Sequence, residues 1–572
     1  MSLSRQGISE IPYICKSHGI THAVISPGSR NAPLIQAFVS NQDMKCVSIT
    51  DERSAGYFAL GMSQQLNEPV VLLCTSGTAL ANYAPALAEA VYLGVPLIVF
   101  SADRPPEWID QNDGQTIRQN NIFPNIVKES YTLPVETEKE SDLWYFRRII
   151  NQAIHNSFSA KAGPVHINVP LREPLYNTLP EVKETPEIIS VVTGKPNLTE
   201  EQWGELTNEW SSYQRKIIIC GFIPEKNISL EKLLIQMSLN NEIVVVSENL
   251  SNLYHENFIH NPEAFVAALS KQAVEQFRPD LVVSMGGAIV SKRLKKYLRK
   301  YNPAAHWHID EHDLFVDTYQ ALNKNIRVNP ETFFAQIKGA GKPNPEYTIF
   351  CNHIKTGIAR LHNSYLSALP FSDLKAYEIV LQSLPDNCNL HLANSTPVRY
   401  AQLFPSRTQT DYFSNRGTSG IDGCVSTAAG AASVTDKLNF LLLGDLAFIY
   451  DSNGLWSNSK LPNNLRIIVF DNGGGNIFKL IETGPGADII RPFIETPHNV
   501  DISEICKAFG IAYLLAGSES ELRDNLAELI KPNRRSVVLH IQTSGDVSAK
   551  TFKQYFQYIS KNDEHKTELD KT

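Results

Sequence analysis

Short apolar runs recur along the chain, each closed by a turn rich in Gly, Pro, Ser or Asn. In the first third they are Thr21–Ser26 (THAVIS), Lys45–Thr50, Pro69–Cys74 (PVVLLC), Pro96–Ser101 (PLIVFS) and Val165–Val169 (VHINV). The middle third has Lys216–Cys220, Ile243–Ser247, Leu281–Ser284 and His306–Asp310. The last third has Leu390–Ala393, Asp411–Ser414, Leu438–Leu443, Arg466–Phe470 and Val537–Gln542. Their length and β-branched content predict buried strands of a parallel sheet. Helical patterns fill the intervals, one of them alanine-rich after Asp51-Glu52. Strands alternating with helices predict an α/β fold: three doubly wound domains with mainly parallel sheets. The expected domains are residues 1–180, 199–345 and 370–560. Leu179–Leu198, rich in Pro, Glu, Thr and Lys, is expected to be a linker, and a helical connector is expected near Ile354–Leu369. The charged tail Lys561–Thr572 is expected to fray.

Two of the strand ends carry chemistry. Leu438–Leu443 runs into Gly444-Asp445-Leu446, and Arg466–Phe470 runs into Asp471-Asn472-Gly473-Gly474-Gly475. Open α/β sheets bind ligands at the carboxyl ends of their strands. A carboxylate, an amide oxygen and Gly-rich backbone carbonyls make a hard-oxygen set suited to Mg²⁺ with substrate phosphates. Asp445 and Asn472 are 27 residues apart, room for one helix and one strand. A second turn, Met285-Gly286-Gly287-Ala288, also follows a strand. It lacks the full G-x-G-x-x-G spacing, so a structural turn is the stronger reading over a dinucleotide site. Lys292 and Arg293 open a basic helix, Ser291–Lys300, of the kind that usually forms a solvated face.

Composition narrows the class. At 572 residues the chain exceeds one core. A net charge of −8, with 42% hydrophobic and 20% charged residues, disfavours a broad nucleic-acid face. The eight scattered cysteines form no C-x-x-C pair and sit mostly in apolar runs, as buried thiols of a reducing compartment do. The first twenty residues lack a signal-peptide core, and no apolar stretch is long enough to span a bilayer. The expected location is cytoplasmic, with no stable membrane anchor.

The G-D-x and N-G pair resembles the diphosphate and metal signature of thiamine-diphosphate enzymes. The resemblance implies thiamine diphosphate as cofactor with Mg²⁺ (or Mn²⁺). It makes Asp445, Asn472 and the Gly474 carbonyl metal ligands, with Gly444 and Asp445 against the diphosphate. Such enzymes also need a Glu at a strand end in the first domain, to hydrogen-bond the aminopyrimidine ring. Glu52 fits that position, although an acid there would also favour the helix dipole by roughly 0.3–1 kcal/mol without any catalytic role. The wider motifs, Ile25-Ser26-Pro27-Gly28-Ser29-Arg30-Asn31-Ala32-Pro33-Leu34, Asp51-Glu52-Arg53-Ser54-Ala55, Ser101-Ala102-Asp103-Arg104-Pro105-Pro106-Glu107, Ser414-Asn415-Arg416-Gly417 and Gly420-Ile421-Asp422-Gly423, resemble one branch. That branch is the 2-succinyl-5-enolpyruvyl-6-hydroxy-3-cyclohexene-1-carboxylate synthases of menaquinone biosynthesis. The likeness runs from about Gly19 to Gln542 and is weakest through the central domain.

This family decarboxylates 2-oxoglutarate and adds the succinyl-semialdehyde carbanion to isochorismate. Both substrates are dicarboxylates, which arginine forks pair with bidentately. The resemblance assigns Arg30, Arg104, Arg293, Arg399 and Arg416 to them, though each alone could be a surface ion pair. It makes Ser29, Gln115, Lys292 and Ser395 polar contacts to cofactor, substrate or intermediate, and Ile421 the apolar residue beneath the cofactor. Ile477 and Phe478 would wall the isochorismate side or serve as plain core. Gly114 departs from relatives that carry a polar residue before the Gln. His22 and His391 read as structural. The reaction needs no side-chain nucleophile, since the cofactor carries the chemistry. The two halves of such a site normally meet across subunits, so a homodimer or homotetramer is expected. Rival readings are another thiamine-diphosphate enzyme acting on a monocarboxylate, a non-catalytic binding module, and a nicotinamide oxidoreductase.

Overall fold

A computed structural model describes residues 5–312, 314–456, 461–480, 487–531 and 535–561. The charged tail 562–572 therefore lies outside the described residues. Among the described residues seventeen strands form three sheets in which every paired strand is parallel. The first holds β1 (His22–Ile25), β2 (Lys45–Ser48), β3 (Val70–Cys74), β4 (Leu97–Asp103), β5 (Glu129–Thr132) and β6 (Val165–Pro170), ordered β2-β1-β3-β4-β6-β5. The second holds β7 (Lys216–Cys220), β8 (Val244–Ser247), β9 (Leu281–Met285), β10 (Ala305–Asp310) and β11 (Leu322–Arg327), ordered β11-β10-β9-β7-β8. The third holds β12 (Cys388–Leu392), β13 (Thr410–Phe413), β14 (Asn439–Gly444), β15 (Leu465–Asp471), β16 (Ala512–Ala516) and β17 (Val537–Gln542), ordered β13-β12-β14-β15-β17-β16. The first and third sheets thus repeat one strand order.

Two strands escape the apolar-run signal, β5 (ESYT) and β11 (LNKNIR), and a third, β16 (AYLLA), is apolar but was not expected. All three are sheet edges, where less of the strand is covered and polar residues are tolerated. The connector helix starts earlier than its apolar pattern, at Pro345, and runs to Ser367. Asn344 caps it by accepting the Tyr347 N–H at 3.1 Å, with proline in the first turn. Between Asp445 and Asn472 the helix is only Asp445–Tyr450, followed by a 3₁₀ turn, Ser452–Leu455. The Pro- and Glu-rich linker is irregular but tied down. Asn151 donates to the Glu187 carbonyl at 3.1 Å and accepts the Ile189 N–H at 2.9 Å, while Leu179 and Ile188 pack on the first core.

The first and third domains meet through the helices Glu52–Leu66 and Cys424–Ala432, which follow β2 and β13 and so occupy matching positions. A Cβ on Gly61 would lie 1.9 Å from the Thr427 carbonyl oxygen, and one on Gly430 would lie 1.9 Å from that of Phe58. Only glycine permits this approach. In the central domain the switch-point crevice between β7 and β9 is closed by backbone. Gly287 donates to the Phe222 carbonyl at 2.8 Å, and a Cβ on Gly221 would meet the Gly287 oxygen at 1.8 Å. The Met285-Gly286-Gly287 turn is therefore spent on sealing the sheet. All eight cysteines are free, seven buried and Cys46 half-buried. Among the described residues no helix is long and apolar enough to cross a membrane.

Candidate active site

Asp445 is the first residue of its short helix, and Asn472 directly follows β15. The loop after β15 folds back over the acid: Gly474 N–H donates to Asp445 Oδ2 at 2.8 Å, and Leu446 N–H donates to Oδ1 at 2.7 Å. Gly473 (φ 82°) and Gly474 (φ 135°) supply the left-handed backbone this requires. Asp471 accepts the Gly473 N–H at 3.0 Å and a ring nitrogen of His540 at 2.9 Å, and His540 meets the Tyr513 hydroxyl at 2.8 Å. Burial, with the adjacent Asp471 charge, pushes the Asp445 carboxyl up to about 6. His498 Nε2 stands 3.3 Å from Asp445 Oδ2. Asp445, Asp471 and His498 present ligand atoms within 4.8 Å of one another.

Two amide side chains here are under-satisfied. The Asn472 amino group donates to Asp373 at 2.8 Å, yet its Oδ1 is buried without a partner. Asn476, 4% exposed, leaves both ends of its amide unpaired. Buried orphans of this kind cost roughly 1–3 kcal/mol each and point to a missing polar partner. An acid raised by burial, an orphaned amide oxygen and glycine backbone together fit a hard dication carrying a diphosphate. The Gly474 carbonyl accepts the Asn476 N–H at 2.8 Å and retains a second lone pair. Gly444, in extended backbone ahead of Asp445, has no neighbour that a Cβ would meet closer than 4.0 Å. Asp373, Asn476 and His498 were not expected. Asn476 continues the N-G-G-G-N string and was legible there; the other two come from distant segments.

Glu52 opens the helix Glu52–Leu66, and Asp51 caps it by accepting the Ser54 N–H at 3.0 Å. Asn453 of the third domain donates to the other Asp51 oxygen at 2.6 Å. Burial raises the Glu52 carboxyl above its ordinary value, and Asn82 partly offsets this through a hydrogen bond. Among the described residues no hydrogen bond or ion pair joins Glu52 to the Asp445 loop of the same chain.

The expected arginines divide into two groups. Arg30 donates to the Leu171 carbonyl and to Glu173, both at 3.1 Å, and Arg293 pairs with Glu263 at 3.3 Å. Arg104 pairs with Asp113 at 2.8 Å and donates to the Gly114 carbonyl at 3.0 Å, so Gly114 contributes backbone to this contact. Arg399 and Arg416 differ: among the described residues neither has an ion-pair partner. Burial lowers the proton affinity of both guanidinium groups, and Arg416 adds to the effect on Arg399. Arg399 lies one turn into the helix Thr396–Ala401 rather than in a loop and donates to the Ser395 carbonyl. Ser395 itself sits at φ 74°, a left-handed position unusual for serine. Arg416 donates to Asn394 at 3.0 Å and leaves its Nε buried and unpaired.

Lys292, Arg293, Arg399 and Ile477 line one cleft of about 470 Å³ between the central and third domains. Glu248 joins its two sides: it accepts the Val290 and Ser291 N–H groups, the latter at 2.8 Å, and the Gln402 amide. Ser291 caps the basic helix, which therefore starts at Lys292. Phe478 lies over the glycine loop after β15, 3.1 Å from where a Cβ on Gly475 would stand. Ile421 is 36% exposed, in a loop whose Asp422 accepts the Tyr57 hydroxyl at 2.6 Å. Ser29 is exposed beside the buried Arg30, and Gln115 takes a left-handed φ of 54° against Gly77. His391 is buried on Asn439 at 3.0 Å, and His22 bonds the neighbouring Thr21 hydroxyl.

Comparison with known proteins agrees with this arrangement. Three family models match: "Thiamine pyrophosphate enzyme, N-terminal TPP binding domain" over residues 7–122, "Middle domain of thiamine pyrophosphate" over 197–389, and the C-terminal TPP binding domain over 395–541. A solved benzoylformate decarboxylase from Polynucleobacter necessarius shares the fold, with TM-score 0.69 at 16% identity, covering 94% of this chain and 98% of that one. Curated relatives named 2-succinyl-5-enolpyruvyl-6-hydroxy-3-cyclohexene-1-carboxylate synthase are nearer in sequence. That of Flavobacterium psychrophilum is 40% identical over 548 residues, 96% of this chain and 98% of its own. That of Desulfotalea psychrophila is 40% identical over 511 residues, 89% of this chain and 93% of its own. With its paired Gly-Asp and Asn-Gly loops inside a full-length match of this kind, the chain belongs to the 2-succinyl-5-enolpyruvyl-6-hydroxy-3-cyclohexene-1-carboxylate synthase family of thiamine pyrophosphate enzymes.

Proposed function

We propose that this chain decarboxylates 2-oxoglutarate with thiamine diphosphate and adds the succinyl-semialdehyde carbanion to isochorismate, as a transferase of menaquinone biosynthesis. The observation that carries the substrate assignment is the Arg399 and Arg416 pair, two half-buried cations that make no ion pair among the described residues, although Glu263 acts on the first and Glu248 and Glu89 on the second from further off. Guanidinium groups withdrawn from water gain most from a paired carboxylate, and dicarboxylate substrates supply several. Lys292, Arg293, Gln115 and Ser395 join them as polar contacts, with Ser29 nearer the cofactor. Arg30 and Arg104, already paired within the chain, trade or share those partners when substrate binds. Ile477 and Phe478 wall the isochorismate side.

Asp445, Asn472 and the Gly474 carbonyl would hold Mg²⁺ or Mn²⁺, with Gly444 against the diphosphate and Ile421 beneath the cofactor's bent rings. Thiamine diphosphate, when bound, supplies the carbon nucleophile that lets a 2-oxo acid lose CO₂. Glu52, raised by burial, is suited to exchange a proton with the aminopyrimidine ring. Residues 1–180 take the pyrimidine and residues 370–560 the diphosphate. The two halves of sites in this family normally meet across subunits, so the site is completed by a second copy, in a cytoplasmic homodimer or homotetramer. Release of CO₂ from 2-oxoglutarate against pyruvate tests the substrate class. Preference for 2-oxoglutarate by at least about 10²-fold is expected, from loss of a paired carboxylate; equal rates would refute the dicarboxylate reading.

A further inference from the structure

An asparagine offers two different ends, one accepting and two donating hydrogen bonds, and a hard cation can use only the oxygen. Something must therefore fix which way the Asn472 amide faces. Its amino group is 2.8 Å from Asp373 Oδ2. Asp373 is 1% exposed and opens the helix Asp373–Ser383, far in sequence from the metal loop. The Thr543 hydroxyl donates to its Oδ1, and its own N–H donates to Ser548 Oγ at 3.0 Å. Both partners follow β17, so the loop after β15 and the segment after β17 meet at the N-terminus of this helix. A carboxylate only accepts, and the first turn of a helix favours its negative charge. It thus takes the amino end of Asn472 and leaves Oδ1 buried and unpartnered.

We propose that Asp373 is a positioning residue that locks the Asn472 amide with its oxygen presented to the metal. This rests on Asn472 being a metal ligand, as proposed above. Outer partners of this type set ligand orientation, and their loss typically weakens metal affinity about 10–100-fold. Asp373→Asn removes the selection, because two amides can then face each other either way. Asn472→Asp places two acids in contact. The double exchange, Asp373→Asn with Asn472→Asp, keeps the net charge and rebuilds the contact reversed: the new amide donates, and one oxygen of the new acid remains for the metal.

The test is Mn²⁺ affinity in the presence of thiamine diphosphate, read from the electron paramagnetic resonance signal of free Mn²⁺, with far-ultraviolet circular dichroism as the folding control. Each single variant is expected to bind Mn²⁺ roughly 10–100-fold more weakly than the parent, and the double exchange to recover at least about tenfold over Asn472→Asp. A purely structural tie would lower thermal stability without that recovery. Parental affinity in folded Asp373→Asn, or a double exchange no better than Asn472→Asp, overturns the proposal. If Asp373→Asn does not fold, the comparison of the double exchange with Asn472→Asp alone decides. Asn472→Ala separates the two levels: parental affinity there removes Asn472 as a ligand and the proposal with it, whereas weak binding there with no recovery in the exchange removes the proposal alone.

Discussion

The Glu89 carboxylate, on a helix of the first domain, accepts the Gly417 N–H at 2.6 Å and the Thr418 N–H at 2.7 Å in the third. The backbone that carries Arg416 is thus set from another domain. Glu89→Gln would turn an amide N–H toward one of those donors, at a cost of about 1.5–3 kcal/mol for hydrogen bonds to a charged group. The expected result is a KM for 2-oxoglutarate raised about tenfold with a smaller change in kcat, measured by steady-state kinetics.

Glu52→Gln keeps the size of the side chain and removes its proton exchange. Turnover is expected to fall by at least about 10²-fold, the usual contribution of a positioned acid or base. The far-ultraviolet spectrum and cofactor binding should be nearly unchanged. Parental turnover in this variant would exclude Glu52 from catalysis.

Asp451 is fully buried and accepts the Ser426 N–H at 2.7 Å and its hydroxyl at 3.0 Å, but burial pushes its carboxyl up from 3.8 to about 7. A group whose folded pKa is raised contributes stability that is present below the unfolded value and lost as pH rises through the folded one. Stability should therefore fall between about pH 4 and pH 7, by an amount on the order of 2–4 kcal/mol. Asp451→Asn should flatten that part of the curve in thermal unfolding at fixed ionic strength.

Gly61 and Gly430 let the two helices touch backbone to side. Gly61→Ala places a methyl 1.9 Å from the Thr427 oxygen, which must move. Overpacking of this kind costs about 1–3 kcal/mol or more. A lowered unfolding temperature is expected, with reduced activity, because this helix also carries Glu52.

Much of this was legible in the sequence because buried parallel strands leave continuous apolar runs, and the motif residues follow those strands directly. The polar edge strands β5 and β11 left no such trace, whereas β16 lies in an apolar run and was missed. Candidate site residues could be picked out where chemistry and chain position coincide, as for the strand-end Asp445, Asn472 and Glu52. They could not be picked out where a partner comes from a remote segment: Asp373, Glu89 and Glu248 are ordinary acids in sequence and acquire a role only through folding. Nor does sequence reveal that Arg30, Arg104 and Arg293 are ion-paired with acids of the chain while, among the described residues, Arg399 and Arg416 make no ion pair.

The most direct measurement is product analysis by mass spectrometry after mixing the protein with isochorismate, 2-oxoglutarate, thiamine diphosphate and Mg²⁺, and then omitting each in turn. Formation of 2-succinyl-5-enolpyruvyl-6-hydroxy-3-cyclohexene-1-carboxylate only in the complete mixture is the predicted result. Product formed without thiamine diphosphate, or none formed by the folded, cofactor-loaded protein in the complete mixture, would contradict the account.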